Sequence, residues 1–379
     1  MKIFCNREGL LAASQLLNVI VPSRDVNPIL RNIKIIGEDD RFTMVATDTE
    51  VGIRMEVRSV KVEEEGEALL PAGRLLSILR ESTDDDMVIE ANADNCILKG
   101  KHAEFEMPGE DPGHFPDFPD FAEDTYHEFM AGELREMIHR VHFAVAAAEH
   151  ARYGAMTGLL WELEDDKVRL VATDGRRLAL SEGPAKAHGS HAADGQTPVA
   201  PLKAMTLLER NLPEPDETVR VSIRTNEMLI KTERSMIYSR LVEGRYPNYR
   251  QVFPDKTEIK VPIKVGPFLS AVRQAAIMTD EESKRVIFTF NDNLLTLQAR
   301  GSGSGSSKVE MELDYTDKPV AINFDPKFLI EMLRIFDPDM ELILEMTDGN
   351  SRVLFRNDTN DYNYVVVPVV VRDGDKSES

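Results

Sequence analysis

Residues Val45–Val51 read VATDTEV, and residues Val171–Leu178 read VATDGRRL. The two stretches lie 126 residues apart in a chain of 379, so their spacing is one third of the length. Near-identity at that spacing predicts one structural unit copied along the chain. Two further segments repeat in all three thirds. Amphipathic stretches begin at Arg7, Gly132 and Val265. In the second of these, Leu134, Met137, Ile138, Val141 and Val145 fall on one face at helical spacing. A second predicted helix follows Pro71, Pro201 and Pro326, with Arg80, Arg210 and Arg334 in matching places. A third segment recurs twice, as FPDF at Phe118–Phe121 and YPNY at Tyr246–Tyr249. In the last third no such motif is visible, and YNYVVVPVVV near its end reads as a strand.

Between the helices lie β-branched, alternating runs that break at Asp, Asn and Gly. Each third therefore reads as a helix, several strands, a helix and more strands. The predicted class is α+β: three similar domains, each with two helices and antiparallel sheet. Their expected limits are 1–127, 128–256 and 257–372, with a polar, disordered tail over 373–379.

Composition limits the function. No apolar run approaches the roughly 20 residues of a membrane helix; the longest, Val365–Val371, is interrupted by a proline. The first residues lack the long apolar stretch of a signal peptide. Cys5 and Cys96 make neither a disulfide framework nor a zinc set, so a reducing cytoplasm is expected. The formal net charge is −21, which repels nucleic acid on average. A role on DNA therefore demands that basic residues be gathered on one surface.

The six predicted helical stretches meet that demand. They carry 11 basic and 8 acidic residues, whereas the chain as a whole is strongly acidic. Lys203 and Arg210 are seven residues apart, as are Lys327 and Arg334, so each pair shares a helix face. Arg74, Arg80 and Arg273 take comparable places. Such sparse cations suit phosphate contact without reading of sequence.

Other motifs have plainer readings. Gly301–Ser306 reads GSGSGS, but no Lys-Ser/Thr follows, so a hairpin loop is expected rather than a phosphate cradle. Asp48, Asp174 and the acidic run from Thr83 to Met87 suggest a metal-dependent hydrolase. They sit in turn-like contexts without a spaced His or Lys, and solvated turns are expected. The pairs His188/His191 and His139/His142 each come without a third ligand at metal spacing. No cofactor, metal or catalytic residue is expected. Trp161 is expected to pack in a strand.

The order of these segments, with NPIL at Asn27–Leu30, ARYG at Ala151–Gly154, GRYPNYRQVFP and the terminal YVVVPVVV, resembles the bacterial DNA polymerase III beta subunit, the sliding clamp family. The resemblance runs to about Arg372. It implies a half-ring of three clamp domains, two of which join head to tail as a homodimer around duplex DNA. It implies a processivity factor that slides without sequence specificity, tethers the replicative polymerase and makes or breaks no bond. It places the protein in the cytoplasm, at replication sites on the nucleoid, with no membrane partner. By resemblance, Arg24, Arg152 and Tyr153 join Arg74, Arg80, Lys203, Arg210, Arg273, Lys327 and Arg334 as DNA contacts. Gly154 stands where the family has a second aromatic.

The resemblance also implies a groove for short linear peptides of polymerases and clamp-loader subunits. Its residues here are Met156, Thr173, Gly175, Arg176, Arg177, Leu178, Pro247, Val252, Val367, Pro368 and Val369. Valines stand where the family often has an adaptable Met, and Gln251 stands where a basic residue is common. A repeat-built protein-interaction scaffold without DNA is the alternative; it shares the repeat and the groove but needs no cationic helices.

Overall fold

The computed structural model describes residues 1–23, 27–92, 95–121, 124–164, 166–189, 198–212, 214–280, 284–301, 303 and 305–369. Among the described residues, six α-helices punctuate a chain of antiparallel strands. They are α1 (Arg7–Leu17), α2 (Ala72–Glu81), α3 (Ala131–Val141), α4 (Leu202–Arg210), α5 (Val265–Ala276) and α6 (Pro326–Leu333). The same order of elements appears three times. A short strand (Lys2–Asn6, Tyr126–Met130 or Ile259–Lys264) leads into the first helix. Four or five strands, the second helix and three more strands complete each copy.

Local chemistry sets the helix ends. The Asn6 side chain accepts from the amides of Glu8 and Gly9 to start α1. Asp325 accepts from the Lys327 amide, and Pro326 opens α6 with the backbone angle a first turn needs. Pro71 and Pro201 stand one residue before α2 and α4. In α3, Leu134, Met137, Ile138 and Val141 are buried as one face. Val145 does not belong to that face: the helix ends at Val141, and Val145 follows a 3-10 turn in extended backbone.

The chain forms two compact units. The first holds Met1–Arg135, Glu164–Asp166 and Pro184–Val242; the second holds Glu136–Leu163, Lys167–Gly183 and the chain from Glu243 onward. In the first unit, a five-stranded sheet runs Val60–Glu64, Lys2–Asn6, Asp86–Ala91, Asn95–Lys99, Glu104–Pro108. Its nine-stranded companion runs Lys186–His188, Tyr126–Met130, Thr218–Ile223, Glu227–Lys231, Ser235–Arg240, Val51–Val57, Arg41–Thr47, Asn32–Glu38, Gly66–Pro71. In the second unit, one sheet runs Gly158–Leu163, Lys167–Thr173, Arg177–Pro184, Tyr362–Val366, Val353–Arg356, Glu341–Met346, Ile259–Lys264. The other runs Gly305–Glu312, Leu294–Gly301, Val286–Asn291, Val320–Phe324. Ile259–Lys264 alternates buried and exposed residues, and its Pro262 is tolerated because the strand lies at the sheet edge.

The middle copy thus shares a sheet with each neighbour, by one rule. The last strand of a copy pairs with the third strand after the first helix of the copy before it. Ile237 lies opposite Ile53 at one joint, and Tyr364 opposite Ala179 at the other. Two strands are left over. Among the described residues, Glu104–Pro108 and Gly305–Glu312 each end their sheet. Trp161 is fully buried in Gly158–Leu163, as its apolar setting predicts. Among the described residues, no helix is long and apolar enough to cross a membrane.

Candidate functional sites

The repeated Thr-Asp pair builds one turn twice. Thr47 Oγ1 donates to Val51 O at 3.1 Å and accepts from Thr49 N at 3.0 Å. Thr173 Oγ1 donates to Arg177 O at 2.6 Å and accepts from Gly175 N at 3.1 Å. Asp48 Oδ1 accepts from the amides of Glu50 and Val51, and Asp174 Oδ1 from those of Arg176 and Arg177. The remaining oxygens are also engaged. Asp48 Oδ2 meets Lys203 Nζ at 2.5 Å, and Asp174 Oδ2 meets Arg177 Nε at 3.0 Å. Both carboxylates are therefore committed to turn and tie rather than offered to a metal.

The second turn forms one lip of an apolar surface inside the second unit. Gly175, at φ +87°, lets the chain pass over Met156: a Cβ there would stand 3.4 Å from Met156 Cε. The other lip is the segment after the last strand. Val367 N donates to Arg176 O at 2.9 Å, and Val369 N to Asn323 O at 2.8 Å. Those bonds leave the Val367 and Val369 side chains each 38 % exposed, with Pro368 buried between them. Leu178 and Met156 lie buried, while Pro247 and Val252 are half-buried. Tyr246 reaches inward to donate to Val171 O at 3.2 Å, and burial pushes its hydroxyl pKa up.

Arg176 and Arg177, adjacent in sequence, have opposite surroundings. Arg176 is exposed. Arg177 is 6 % exposed, and its guanidinium also reaches Glu331 Oε2 at 2.5 Å and Phe143 O at 2.8 Å. The rings of Phe143 and Phe328 lie 5.3 and 4.8 Å from it. Burial disfavours its charge, yet Tyr364, Glu331 and Asp174 outweigh that and raise its pKa.

The first joint repeats the frame with different lips. Arg240 N donates to Glu50 O at 2.8 Å, as Val367 N does to Arg176 O. Arg240 Nη1 also meets Glu50 Oε1 at 3.3 Å, so a charged pair lies where the second joint presents a valine.

The helix cations fall into two classes. Arg7 donates to Asp84 O and Leu79 O, Arg135 to Leu212 O, and Arg140 to Glu136 and Asp361. These hold the fold. Arg74, Arg80, Arg210, Arg273 and Arg334 are exposed, and among the described residues none forms an ion pair. Lys327 is also exposed, 3.9 Å from Glu331. Lys203 is half-buried on Asp48 and also donates to Ile20 O at 3.0 Å. Arg152 lies 5.6 Å from the ring centre of Tyr153, which is 49 % exposed. Arg24 lies outside the described residues. His139 and His142 place their rings 5.6 Å apart, and the His142 Nδ1 lies 3.2 Å from Ile138 O.

Sequence reading missed Ile277, which caps α5 and is 71 % exposed. Its signal was an apolar residue beyond the last turn, followed by the polar run from Thr279.

Three family models match in order: the DNA polymerase III beta subunit N-terminal domain over 1–119, its central domain over 129–248 and its C-terminal domain over 250–370. A beta sliding clamp from Haemophilus influenzae is 25% identical over 371 residues, covering 97% of this chain and 100% of that protein. One from Staphylococcus aureus is 26% identical over 333 residues, 85% of this chain and 86% of that protein. A putative DNA polymerase III beta subunit from Eubacterium rectale superposes with a TM-score of 0.87 at 27% identity. A sliding clamp from Pseudomonas aeruginosa does so with 0.89 at 26%. Each of these structures covers 98% of this chain, over its own full length. The chain, matched from residue 1 to residue 370 by the three domain models in their order, belongs to the DNA polymerase III beta subunit family.

Proposed function

We propose that this protein is a DNA sliding clamp. Two chains join head to tail into a ring of six domains, divided in each chain near residues 127 and 256. The ring threads duplex DNA and tethers the replicative polymerase. The observation that carries the reading is the pair of leftover strands. The joint rule, applied once more, pairs Glu104–Pro108 of one chain with Gly305–Glu312 of the next. Its register follows from the repeat. Tyr364 and Ile237 are the places that Phe105 takes in the first copy, counted across the sheets from Val261, His127 and Ile3. Ala46, which lies opposite Ile53, matches Ala299, which lies opposite Ser307. Phe105 of one chain therefore meets Ser307 of the other, which puts Glu104 opposite Lys308. The exposed Ile277 supplies apolar surface beside that edge.

The exposed Arg74, Arg80, Arg210, Arg273 and Arg334, with Lys327, Arg152 and Tyr153, are the DNA-facing set, and Lys203 contributes what its tie to Asp48 leaves free. Sparse monodentate phosphate contacts hold DNA weakly and let it slide; linkage by topology does the rest. The surface between Gly175 and Val367–Val369 takes an apolar segment of a partner peptide, from a polymerase or a clamp-loader subunit. The role requires no covalent step.

The test combines mass in solution with retention on DNA. A dimer loaded on a nicked circle stays through a salt wash and is lost once the circle is linearised. Equal loss from both forms, or a monomer at all concentrations, overturns the proposal.

A further inference from the structure

We infer that Glu331 is a positioning residue of the peptide surface, and that through it contact of Lys327 with duplex DNA tightens the hold on a peptide. The inference rests on the sliding-clamp reading above and adds a link between its two ligands.

Both lips of the peptide surface are fastened on α6. Glu331 Oε2 accepts from Arg177 Nη1 at 2.5 Å. Arg177 in turn holds Asp174 Oδ2 through Nε at 3.0 Å, and Asp174 Oδ1 sets the turn by accepting from the amides of Arg176 and Arg177. Arg176 O then accepts from Val367 N across the surface. The strand that carries the other lip reaches the same helix, because Tyr364 Oη donates to Phe328 O at 2.9 Å. Lys327 stands beside these anchors. Its Nζ lies 3.9 Å from Glu331 Oε1, and its side chain is 69 % exposed.

The repeat shows that the fold does not demand this ion pair. Met205 and Leu329 align α4 with α6, so the place of Glu331 is Leu207 in the copy before. The Thr-Asp turns align Arg177 with Val51. Val51 and Leu207 are both buried. The frame therefore folds with an apolar residue at each place, and apolar residues are often as stable there as a buried ion pair, or more so. The charged pair stands at the joint that carries the apolar peptide surface. The lysine differs in the same sense. Lys203, the match of Lys327, meets the turn carboxylate Asp48 itself. At the second joint Arg177 takes that carboxylate, and Lys327 is left exposed beside Glu331.

Glu331 is thus shared between a buried guanidinium and an exposed ammonium. A phosphate that draws Lys327 away removes the competing cation. Glu331 then holds Arg177 more firmly, and with it the turn that forms one lip. An exposed pair of this kind shifts an equilibrium by about two- to five-fold, which sets the size of the link. By reciprocity the peptide tightens duplex binding by the same factor.

Fluorescence anisotropy on the full chain tests this. The probe is a labelled, uncharged synthetic peptide carrying a Leu-Phe pair, titrated with and without a saturating short linear duplex at low salt. The unaltered protein is expected to bind the peptide about two- to five-fold more tightly with the duplex. Lys327→Ala is expected to show that gain without duplex and to gain nothing further from it. Arg80→Ala, on another helix, weakens the duplex but keeps the gain once duplex is saturating. Arg177→Val/Glu331→Leu installs the apolar pair of the first joint. It is expected to unfold at no lower denaturant, to bind the peptide more weakly and to ignore the duplex. If that double variant does not fold, the exposed Lys327→Ala decides the matter. Equal peptide affinity with and without duplex in the unaltered protein overturns the inference, as does a Lys327→Ala protein that still responds to duplex. A chain that binds no peptide, or no duplex, instead overturns the sliding-clamp reading.

Discussion

Thr49 and Gly175 hold the same backbone conformation 126 residues apart, at φ +75° and +87°, at the third position of the repeated turn. Glycine reaches that region without strain, whereas a β-branched residue does so at a cost of about 1–3 kcal/mol. Thr49→Gly gives back part of that gain through a looser unfolded chain, about 0.5–1 kcal/mol. Denaturant unfolding is expected to show Thr49→Gly more stable by about 1 kcal/mol. Gly175→Thr is expected to be less stable by about 1–3 kcal/mol. A destabilised Thr49→Gly would mean that the turn draws on the threonine side chain.

The arginines predict a division in salt dependence. Arg74, Arg80, Arg210, Arg273 and Arg334 are exposed without ion pairs among the described residues, whereas Arg7 is bonded to Leu79 O and Asp84 O. Each phosphate contact removed lowers the slope of log affinity against log salt by about 0.9. Alanine at any of the five is expected to weaken equilibrium binding to a linear duplex and reduce that slope, with retention on a closed circle unchanged. Arg7→Ala is expected to leave the slope alone and lower thermal stability. A reduced slope for Arg7→Ala, or none for the five, refutes the assignment.

That division marks the limit of what the sequence makes legible. Helical spacing shows that Lys203 and Arg210 share a face, and a count of charges shows that the helices are cationic. Neither reveals that Lys203 meets Asp48, because that partner stands 155 positions away and is brought in only by the joint. The repeat was readable because turns and helix starts are local chemistry: Thr47 and Thr173 bond within four residues of themselves. Sheet sharing was not. Alternation tells which face of Val51–Val57 is buried, yet the choice of Ser235–Arg240 as its neighbour lies in no local pattern. The unmatched edge did leave a trace. Lys308, Glu310 and Glu312 alternate along Gly305–Glu312 and are all exposed, so one face of that last strand is charged.

The two cysteines make a pH prediction. Cys5 and Cys96 are buried, and burial pushes each thiol up to about 12. A folded pKa above the unfolded value of about 8.5 favours the neutral thiol in the native state. That contribution is complete below the unfolded pKa and is lost as pH rises toward the folded one. Stability is therefore expected to fall between about pH 8.5 and 12, by less in the Cys5→Ala/Cys96→Ala double variant. At pH 8 a maleimide is expected to modify neither thiol until denaturant unfolds the chain. Rapid labelling of the native protein would show that the strands holding them open locally.

The proposed peptide surface gives the sharpest separation of roles, because Arg176 and Arg177 are neighbours with different surroundings. Arg177 is buried on Asp174 and Glu331, so its removal leaves Asp174 without its cation and Glu331 with only the exposed Lys327, 3.9 Å away. Breaking a buried pair in this way costs about 3–5 kcal/mol, and Arg177→Ala is expected to unfold at markedly lower denaturant. Arg176 is exposed, and its carbonyl accepts from Val367 N of the opposite lip. Arg176→Ala is expected to keep full stability and to alter affinity for a polymerase-derived peptide measured by calorimetry. Val367→Asp places a charge on the exposed apolar lip and is expected to weaken that peptide about ten-fold or more while leaving residence on circular DNA unchanged. Stoichiometry is expected to be one peptide per chain, since the matching frame at the first joint carries the Arg240–Glu50 pair in place of the valine. Two peptides per chain, or full affinity in Val367→Asp, would move the docking surface elsewhere.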